Sequence, residues 1–459
     1  MTGPDPAPAT SWLHRWPRIA GVASVAVVIA VAMIAAVAPG FGWVSLAIDA
    51  ETRKIAAGVI FAGSYLALAI GKIPGLSIDR AGVALVGAGL MVASGTLSLQ
   101  EAYQAIDLDT ITLLLGMMIV VASLRLSGFF RAATSWAMEH AKRPLVLLGV
   151  VTATSGLFSA FLVNDAICLV LTPLVLELTL RMGRKPVPYL LALAMASNVG
   201  STATITGNPQ NIMIGSLSHI PYTTFVLTLG PVALAGLAVT AGLVALVHRG
   251  DFTGTSPPAA VKPDIHVNRV LVIRALVATA VMVALFFAGQ PPAKAAIIIG
   301  GLLLLTRRVK SRRIYSEIDW SLLLMFAGLF IIVAGAQRAL LTPGTIAAVG
   351  RLHLDQVPIL SAVTAVLSNL VSNVPAVLML KPFVEPLADH DTAWLTVAMA
   401  STLAGNFTIL GSMANLIVVQ KAAARGVLIS FWDYFRVGAP LTLITLATGA
   451  FWVWLRLPP

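Results

Sequence analysis

Apolar stretches of about 20 residues, separated by short polar loops, recur along the whole chain. A helix of about 20 apolar residues crosses the hydrocarbon core of a bilayer, so the pattern predicts an all-α polytopic membrane protein. Continuous spans are predicted at residues 19–38, 55–71, 81–99, 110–130, 225–247, 270–288, 293–306, 320–340 and 437–456. The run at 19–38 is too long for the apolar core of a signal peptide, so we expect it to be retained as the first span.

Two further apolar segments, 144–180 and 357–387, are too long to be single spans. As straight helices they would measure roughly 45–55 Å, against a hydrocarbon core of about 30 Å. A polar break lies near the middle of each, around Asn164 in the first and Asn373 in the second. Each segment is predicted to be a re-entrant helical hairpin with its tip near the membrane midplane. The alternative is a pair of short complete spans.

Two more apolar helices are interrupted by Gly, Asn, Ser and Thr. The segments AMASNVGSTATITGNPQN at 194–211 and AMASTLAGNFTILGSMAN at 398–415 have the same length and many matching positions. They predict broken helices at 188–214 and 392–420. Because Pro209 has no amide hydrogen and Gly is a poor helix former, each break frees backbone groups that lipid cannot satisfy. Paired interrupted spans in the two halves of a repeat indicate a transport site.

The repeat extends beyond the broken helices. Two pairs of residues keep a spacing of nine positions in both copies: Asn164 and Pro173 against Asn373 and Pro382, and Asp107 and Gly116 against Asp319 and Gly328. Lys and Arg concentrate in alternate loops, and positive loops stay in the cytoplasm. With about eleven crossings this places the N-terminus inside, the C-terminus outside, Asp107 outside and Asp319 inside. The two copies are therefore predicted to be inverted.

The chain is predicted to have four parts. A cytoplasmic tail covers residues 1–18, and the first half covers 19–248. A polar cytoplasmic linker, rich in Pro, Ser and Thr, covers 249–269. The inverted second half covers 270–459. Each half contains one hairpin and one broken helix.

Composition agrees with a membrane location, most simply the bacterial cytoplasmic membrane. Mean hydropathy is +0.91. The net charge of +11 comes from Lys and Arg in short loops, where they orient the spans, so the expected partner is the lipid bilayer and not nucleic acid. The single cysteine, Cys168, excludes an internal disulfide and a thiolate metal cluster, and is expected to be a packing residue.

The breaks offer groups that suit a polar ligand. Asn208 followed by Pro209 is an N-cap and N1 pair, Ser412 occupies the matching place, and Asn164 and Asn373 are expected to cap the second arms of their hairpins. Helix N-termini present free amides and a partial positive charge, which suit an anion or a polar oxygen ligand. The substrate-binding candidates are Asn164, Asn198, Ser201, Thr202, Thr206, Gly207, Asn208, Ser372, Asn373, Asn406, Thr408, Gly411 and Ser412.

A coupling ion is also expected at the breaks. Carbonyl groups at the ends of the preceding half-helices, together with Thr hydroxyls, offer ligands for a sodium ion. A carboxylate inside the membrane is a candidate for proton or cation binding. The coupling candidates are Asp165, Asn164 and Thr204; the alternatives are hydroxyls bonded to the carbonyl one turn back and a carboxylate that satisfies a helix N-terminus. Lys381, about 12 Å from its hairpin tip, is expected to snorkel. No organic cofactor and no metal other than sodium is expected.

Four motifs resemble those of the ion transporter superfamily: LVNDAICLVLTP, SNVGSTATITGNPQN, LVSNVPAVLMLKP and GNFTILGSMAN. That superfamily includes arsenite/antimonite permeases, sodium/proton antiporters, citrate transporters and sodium/dicarboxylate symporters. The resemblance covers residues 55–456, and the first two motifs look most like the arsenite-permease branch. The hairpin tips read Val-Asn-Asp and Ser-Asn-Val, where dicarboxylate symporters carry Ser-Asn-Thr. The resemblance implies a scaffold domain, a transport domain with an elevator motion, and often a homodimer.

The sequence therefore predicts a secondary active transporter of a small anion or metalloid oxyacid, with arsenite or antimonite favoured. The alternatives are a sodium/proton antiporter centred on Asp165 and a di- or tricarboxylate symporter. An enzyme is not expected, because neither His-Glu-x-x-His nor Gly-x-Ser-x-Gly occurs. No Gly-x-x-x-x-Gly-Lys-Ser/Thr run occurs either, so an arsenite pump would need an ATPase subunit as partner.

Overall fold

The computed structural model describes residues 50–70, 78–133, 141, 143–252, 268–305, 309–342, 344, 349 and 351–456. The span predicted at 19–38 and most of the linker predicted at 249–269 lie outside the described residues. Within the described ranges every regular element is helical, so the predicted all-α class is confirmed.

The α-helices in chain order are α1 (Ala50–Ile70), α2 (Arg80–Ala93), α3 (Leu99–Ala105), α4 (Leu108–Ser127), α5 (Pro144–Phe161), α6 (Asn164–Arg181), α7 (Val187–Ser201), α8 (Pro209–Ser218), α9 (Tyr222–Val247), α10 (Arg269–Phe287), α11 (Pro292–Leu304), α12 (Ser311–Tyr315), α13 (Trp320–Leu340), α14 (Val357–Val371), α15 (Asn373–Val384), α16 (His390–Ala404), α17 (Met413–Ala423) and α18 (Phe431–Leu455). Among the described residues, six helices are long and apolar enough to cross a membrane alone: α4, α5, α9, α10, α13 and α18. Shorter apolar helices, including α7, α11 and α14, pack between them.

Helix pairs occupy both predicted hairpins. Two residues, Leu162 and Val163, separate α5 from α6, and Ser372 alone separates α14 from α15. Ser372 has φ 80° and ψ 159°. A non-glycine residue in this region is strained by about 1–3 kcal/mol, and such strain persists only where the surrounding structure enforces it. The second tip is therefore held by its neighbours.

Both broken helices stop and restart as the sequence indicated. The first pair is α7 and α8, and the second is α16 and α17, with a 3-10 turn at Ile409–Gly411 in the second break. Asn208 caps α8 by accepting from the backbone N–H of Asn211 at 2.8 Å. Ser412 caps α17 by accepting from the backbone N–H of Ala414 at 3.2 Å. Both predicted N-caps are confirmed.

The first arm of each hairpin packs along the broken helix of its own copy, α5 on α7 and α14 on α16. In the first copy the two backbones nearly touch. A methyl group at Gly200 would lie 2.2 Å from the carbonyl oxygen of Gly156. The Ser155 hydroxyl donates to the carbonyl of Leu193 at 2.8 Å in the same interface. These contacts hold the first hairpin beside the first break.

The described helices divide into two units that cut across the predicted halves. The first unit contains α1, α2, α3 and α13, and the second contains the remaining helices. In the second unit, a methyl group at Gly116 of α4 would lie 2.5 Å from the backbone carbon of Ala296 of α11. In the first unit, Gly328 of α13 stands in the same relation to Ala84 of α2, at 2.6 Å. These two pairs are repeat counterparts. In each copy, therefore, one helix packs against a helix of the other copy: α4 against α11, and α13 against α2.

Candidate functional site

Asn198 is the centre of a buried hydrogen-bond cluster that joins the two broken helices. Its Nδ2 donates to Oδ1 of Asn406 at 2.9 Å and to Oδ1 of Asn415 at 3.0 Å. Its Oδ1 accepts from Oγ of Ser412 and from Nδ2 of Asn164, both at 3.0 Å. All five side chains are buried. We call these five residues the amide cluster; it brings together four of the predicted substrate-binding residues.

Thr402 occupies the place in the second broken helix that Asn198 occupies in the first. Its hydroxyl accepts from Nδ2 of Asn208 at 3.0 Å and from Nε2 of Gln210 at 3.2 Å. It lies 3.4 Å from Oδ1 of Asn211. The Asn208 amide also donates to the hydroxyl of Ser201 at 3.0 Å. Asn198 of the first break thus bonds to residues of the second, and its repeat counterpart Thr402 in the second break bonds to residues of the first.

Two further asparagines, Asn211 and Asn415, brace the breaks. Each donates from Nδ2 to the carbonyl oxygens ten and seven residues before it. Asn211 donates to Ser201 and Thr204, both at 3.0 Å. Asn415 donates to Gly405 at 2.7 Å and to Thr408 at 3.1 Å. Four carbonyls freed at the breaks are thus paired within the protein. The sequence prediction omitted both asparagines and Thr402. Their signal was present, because Asn211 and Asn415 end the two repeated segments at the same position.

The predicted capping role of Asn164 and Asn373 is wrong. The N-cap of α6 is Val163 and that of α15 is Ser372, and neither asparagine makes a side-chain cap. Each asparagine is already the first residue of its helix, which points its side chain across to a neighbour. Oδ1 of Asn373 accepts from the hydroxyl of Ser368 at 2.6 Å. The backbone N–H of Asn164 donates to the carbonyl of Gly207 at 2.9 Å, which ties the first tip to the first break.

Three predicted threonines use their hydroxyls elsewhere. Thr202 donates to the carbonyl one turn earlier at 3.3 Å, which was the alternative for these residues. Thr204 donates to the carbonyl of Ala160. Thr206 lies 3.0 Å from the Tyr222 hydroxyl. The structure does not bring these hydroxyls into the amide cluster, although Thr204 helps to fix the first hairpin to the first break.

Asp165 lies at the edge of the cluster. Its carboxyl group interacts with the backbone amide of Ala414, in the first turn of α17. The positive end of a helix offsets part of a nearby negative charge. Lys381, by contrast, pairs with Glu385 at 3.7 Å, one turn further along α15. In the described part of the chain, no group of three His, Cys, Asp or Glu residues forms a metal site.

The amide cluster itself contains four neutral amides and one hydroxyl. One acceptor in it is open: Oδ1 of Asn164 is buried and has no hydrogen-bond partner among the described residues. The N-termini of α8 and α17, each with a partial positive charge, lie at the same breaks. This arrangement can offer both donors and an acceptor to a small polar molecule.

The family model for citrate transporters, CitMHS, matches residues 65–404. The chain belongs to this citrate transporter family. Among the relatives of the chain, the silicon efflux transporter LSI3 of Oryza sativa subsp. japonica is 30% identical over 481 residues, covering 87% of this chain and 98% of that protein. An uncharacterized transporter of Mycobacterium tuberculosis is 30% identical over 437 residues, covering 88% and 98%. The putative transporter arsB of Dictyostelium discoideum is 24% identical over 497 residues, covering 82% and 87%.

A solved structure shares the fold of this citrate transporter family member. The Alcanivorax borkumensis YdaH transporter superposes with a TM-score of 0.55 at 16% sequence identity, covering 88% of this chain and 97% of that one. The predicted superfamily is confirmed by the family model and these relatives. Because the family and the relatives are transporters, and the described helices are apolar, the chain is a multi-pass membrane transporter of this family.

Proposed function

We propose that this family member is a secondary active transporter that moves a small, undissociated metalloid oxyacid of the arsenite or antimonite type by alternating access. The chemistry of the amide cluster supports this proposal. Its five residues carry no formal charge, and the nearby ionisable group, Asp165, is an acid. A citrate or succinate ion would bring two or three negative charges, and burying charge without cationic partners is costly.

The observation that carries the proposal is the open acceptor on Asn164. A buried acceptor without a partner is unfavourable, so the site is complementary to a ligand that donates a hydrogen bond. An undissociated oxyacid has O–H donors for Oδ1 of Asn164 and oxygen acceptors for the amides at the starts of α8 and α17. A carboxylate offers acceptors only.

One relative supports the same substrate chemistry. The rice relative is named for silicon efflux, and silicon, like trivalent arsenic, forms undissociated hydroxides near neutral pH. Its similarity covers 87% of this chain and 98% of the rice protein. An oxyacid is therefore a better match than the citrate for which the family is named.

A second candidate function is sodium/proton exchange at Asp165. It is favoured by the place of this carboxyl group beside the amide cluster, within an apolar helix, and by its interaction with the Ala414 amide. Exchange through this residue would be abolished in Asp165→Asn. In an oxyacid transporter, the same variant should keep substrate binding and change only its dependence on the coupling ion.

Flux into proteoliposomes tests the proposal. The purified protein should show saturable uptake or release of arsenite and antimonite above empty liposomes, and Asn198→Ala proteoliposomes should lose it. Citrate, succinate, sulfate and sodium/proton exchange are measured in parallel. Saturable flux of a carboxylate without any flux of arsenite, antimonite or silicic acid would contradict the proposal.

A further inference from the structure

Buried polar groups on one face of α14 have no hydrogen-bond partner among the described residues. Ser361 and Thr364 are 4% and 0% exposed, and their hydroxyls are unpaired, as is Oδ1 of Asn369. Ser361, Thr364 and Ser368 recur at intervals of three and four residues and so share one side of the helix, and Asn369 follows Ser368 directly. That side is buried in a helix that packs against α16 and α18. A buried hydroxyl in a membrane helix normally bonds the carbonyl one turn back, so two unpaired hydroxyls in succession require an explanation.

The repeat supplies an internal comparison. With Asn164 aligned to Asn373, the positions of α5 that match Ser361, Thr364 and Ser368 are Thr152, Ser155 and Ser159. In α5 all three hydroxyls are paired: Thr152 with the carbonyl of Leu148 at 2.8 Å, Ser155 with that of Leu193 at 2.8 Å, and Ser159 with the Ser197 hydroxyl at 3.1 Å. The hydroxyls therefore do not stay unpaired merely because the fold places them there. The difference is specific to α14.

The unpaired groups lead to the functional site. From Ser361 to Asn369 the helix rises by about 12 Å. At the inner end, Ser368 donates to Oδ1 of Asn373 at 2.6 Å. A methyl group at Gly411, the residue before Ser412 of the amide cluster, would lie 3.1 Å from Oδ1 of Asn369. The polar groups of α14 thus extend from Ser361 to the second break, beside Ser412 of the amide cluster.

We propose that this face of α14 is hydrated and forms a path by which water reaches the amide cluster from the aqueous phase at the Val357 end of the helix. Water satisfies buried polar groups where several lie close together, since each water molecule makes two to four hydrogen bonds. Such a path lets water reach the cluster as the substrate leaves, so the open acceptor on Asn164 is not left without a partner. This role rests on the proposed function, in which the cluster holds the substrate.

Cysteine reactivity tests for water directly, because a thiol reacts with a polar reagent as the solvated thiolate. Single cysteines are placed in a Cys168→Ala background at Ser361 and Thr364, with Thr152 and Ser155 as matched controls on α5. In proteoliposomes we expect a small methanethiosulfonate to modify the two α14 positions at least tenfold faster than the controls. Equal rates at the four positions would overturn the proposal. Because no substrate is present, this result does not depend on the proposed function.

A second measurement covers the case in which a cysteine variant does not fold. Thr364→Val keeps the shape of the side chain and removes its hydroxyl. We expect arsenite to bind this variant at equilibrium as it binds the native protein, while its flux falls at least tenfold. Thr152→Val should leave the flux within twofold of native. Native flux in Thr364→Val would overturn the path, whereas fast labelling in a protein without any oxyacid flux would keep the path and reject the proposed function.

Discussion

The Nδ2 atom of Asn198 lies 3.0 Å from Oδ1 of Asn415, so the centres of the two broken helices are joined side chain to side chain. Their repeat counterparts, Thr402 and Asn211, make the matching contact at 3.4 Å. A shift of either break past the other would disrupt both contacts. We infer that the two breaks form one site, so that a ligand bound at one break also changes the side-chain contacts of the other.

The brace at the second break gives a first prediction. Asn415→Asp replaces the amide donor to the carbonyls of Gly405 and Thr408 with an acceptor. Each buried acceptor left unpaired costs about 1–3 kcal/mol, and 1.4 kcal/mol corresponds to about a factor of ten. We expect arsenite affinity to fall at least tenfold, measured by equilibrium binding to purified protein. Gln420→Glu, on the exposed side of the same helix, is the control. Native affinity in Asn415→Asp would show that the brace does not shape the site.

The exchanged helices give a second prediction. Gly116→Ala and Gly328→Ala each push a methyl group into a neighbouring backbone, at 2.5 and 2.6 Å. Overpacking of this kind costs about 1–3 kcal/mol, so both variants should unfold at a lower temperature. Gly149→Ala and Gly89→Ala are controls, since a methyl group there meets no described atom within 4 Å. In a helix these should be neutral or stabilising by about 0.5–1 kcal/mol. Equal effects in all four variants would contradict the close packing.

How much of this could be predicted from the sequence depends on whether the signal is local. Asn208, Pro209 and Ser412 specify helix starts by their own chemistry, so both broken helices and their caps followed from the chain alone. The hairpin tips did not, because a turn one residue longer or shorter moves an asparagine from the cap into the helix. Asn164 and Asn373 were therefore placed near the site with the wrong role.

The exchange of helices between the copies lay beyond the sequence. Gly116 and Gly328 were visible as a recurring pair, and small residues permit close approach of two helices. The partner helix of each glycine is set by the tertiary packing of α2 and α11. The sequence around Ala84 or Ala296 contains no local signal for this packing. The same holds for Asn198, whose four side-chain partners come from two other segments, the first hairpin and the second broken helix.

Glu101 gives a prediction about pH. A hydrogen bond from the backbone N–H of Ser98, with further bonds from Arg338 and the Ser98 hydroxyl, lowers the pKa of Glu101 from 4.5 to about 2. The ionised form is thus favoured by folding, so this contribution to stability is complete above pH 4.5 and disappears as the pH falls toward 2. We expect Glu101→Gln to melt below the native protein at pH 7, and the difference to shrink between pH 5 and pH 2.

A partial variant serves as control for Glu101. Arg338→Gln removes one partner and keeps both bonds from Ser98, so it should show a smaller effect of the same sign. A difference between native and Glu101→Gln melting temperatures that stays constant from pH 7 to pH 2 would exclude this account of the pH dependence.

The inverted topology is tested by labelling. In a Cys168→Ala background, single cysteines at Gln104 and His353 should react with an impermeant thiol reagent added outside intact cells. A cysteine at Ser311 should react only after permeabilisation, because the basic loop that contains it is predicted to be cytoplasmic. Labelling of Ser311 from outside would overturn the predicted orientation of the two copies.

The central claim is that neutral amides at the breaks hold the substrate, and that no charged side chain is needed for its affinity. Equilibrium binding of arsenite to purified Asn198→Ala, Asn208→Ala and Lys381→Gln tests this claim most directly. The two asparagine variants should lose at least about tenfold in affinity, since each removes several buried hydrogen bonds. Lys381→Gln should bind within about twofold of the native protein, because its partly exposed pair with Glu385 contributes little. Loss of binding in Lys381→Gln, with native affinity in both asparagine variants, would contradict the claim.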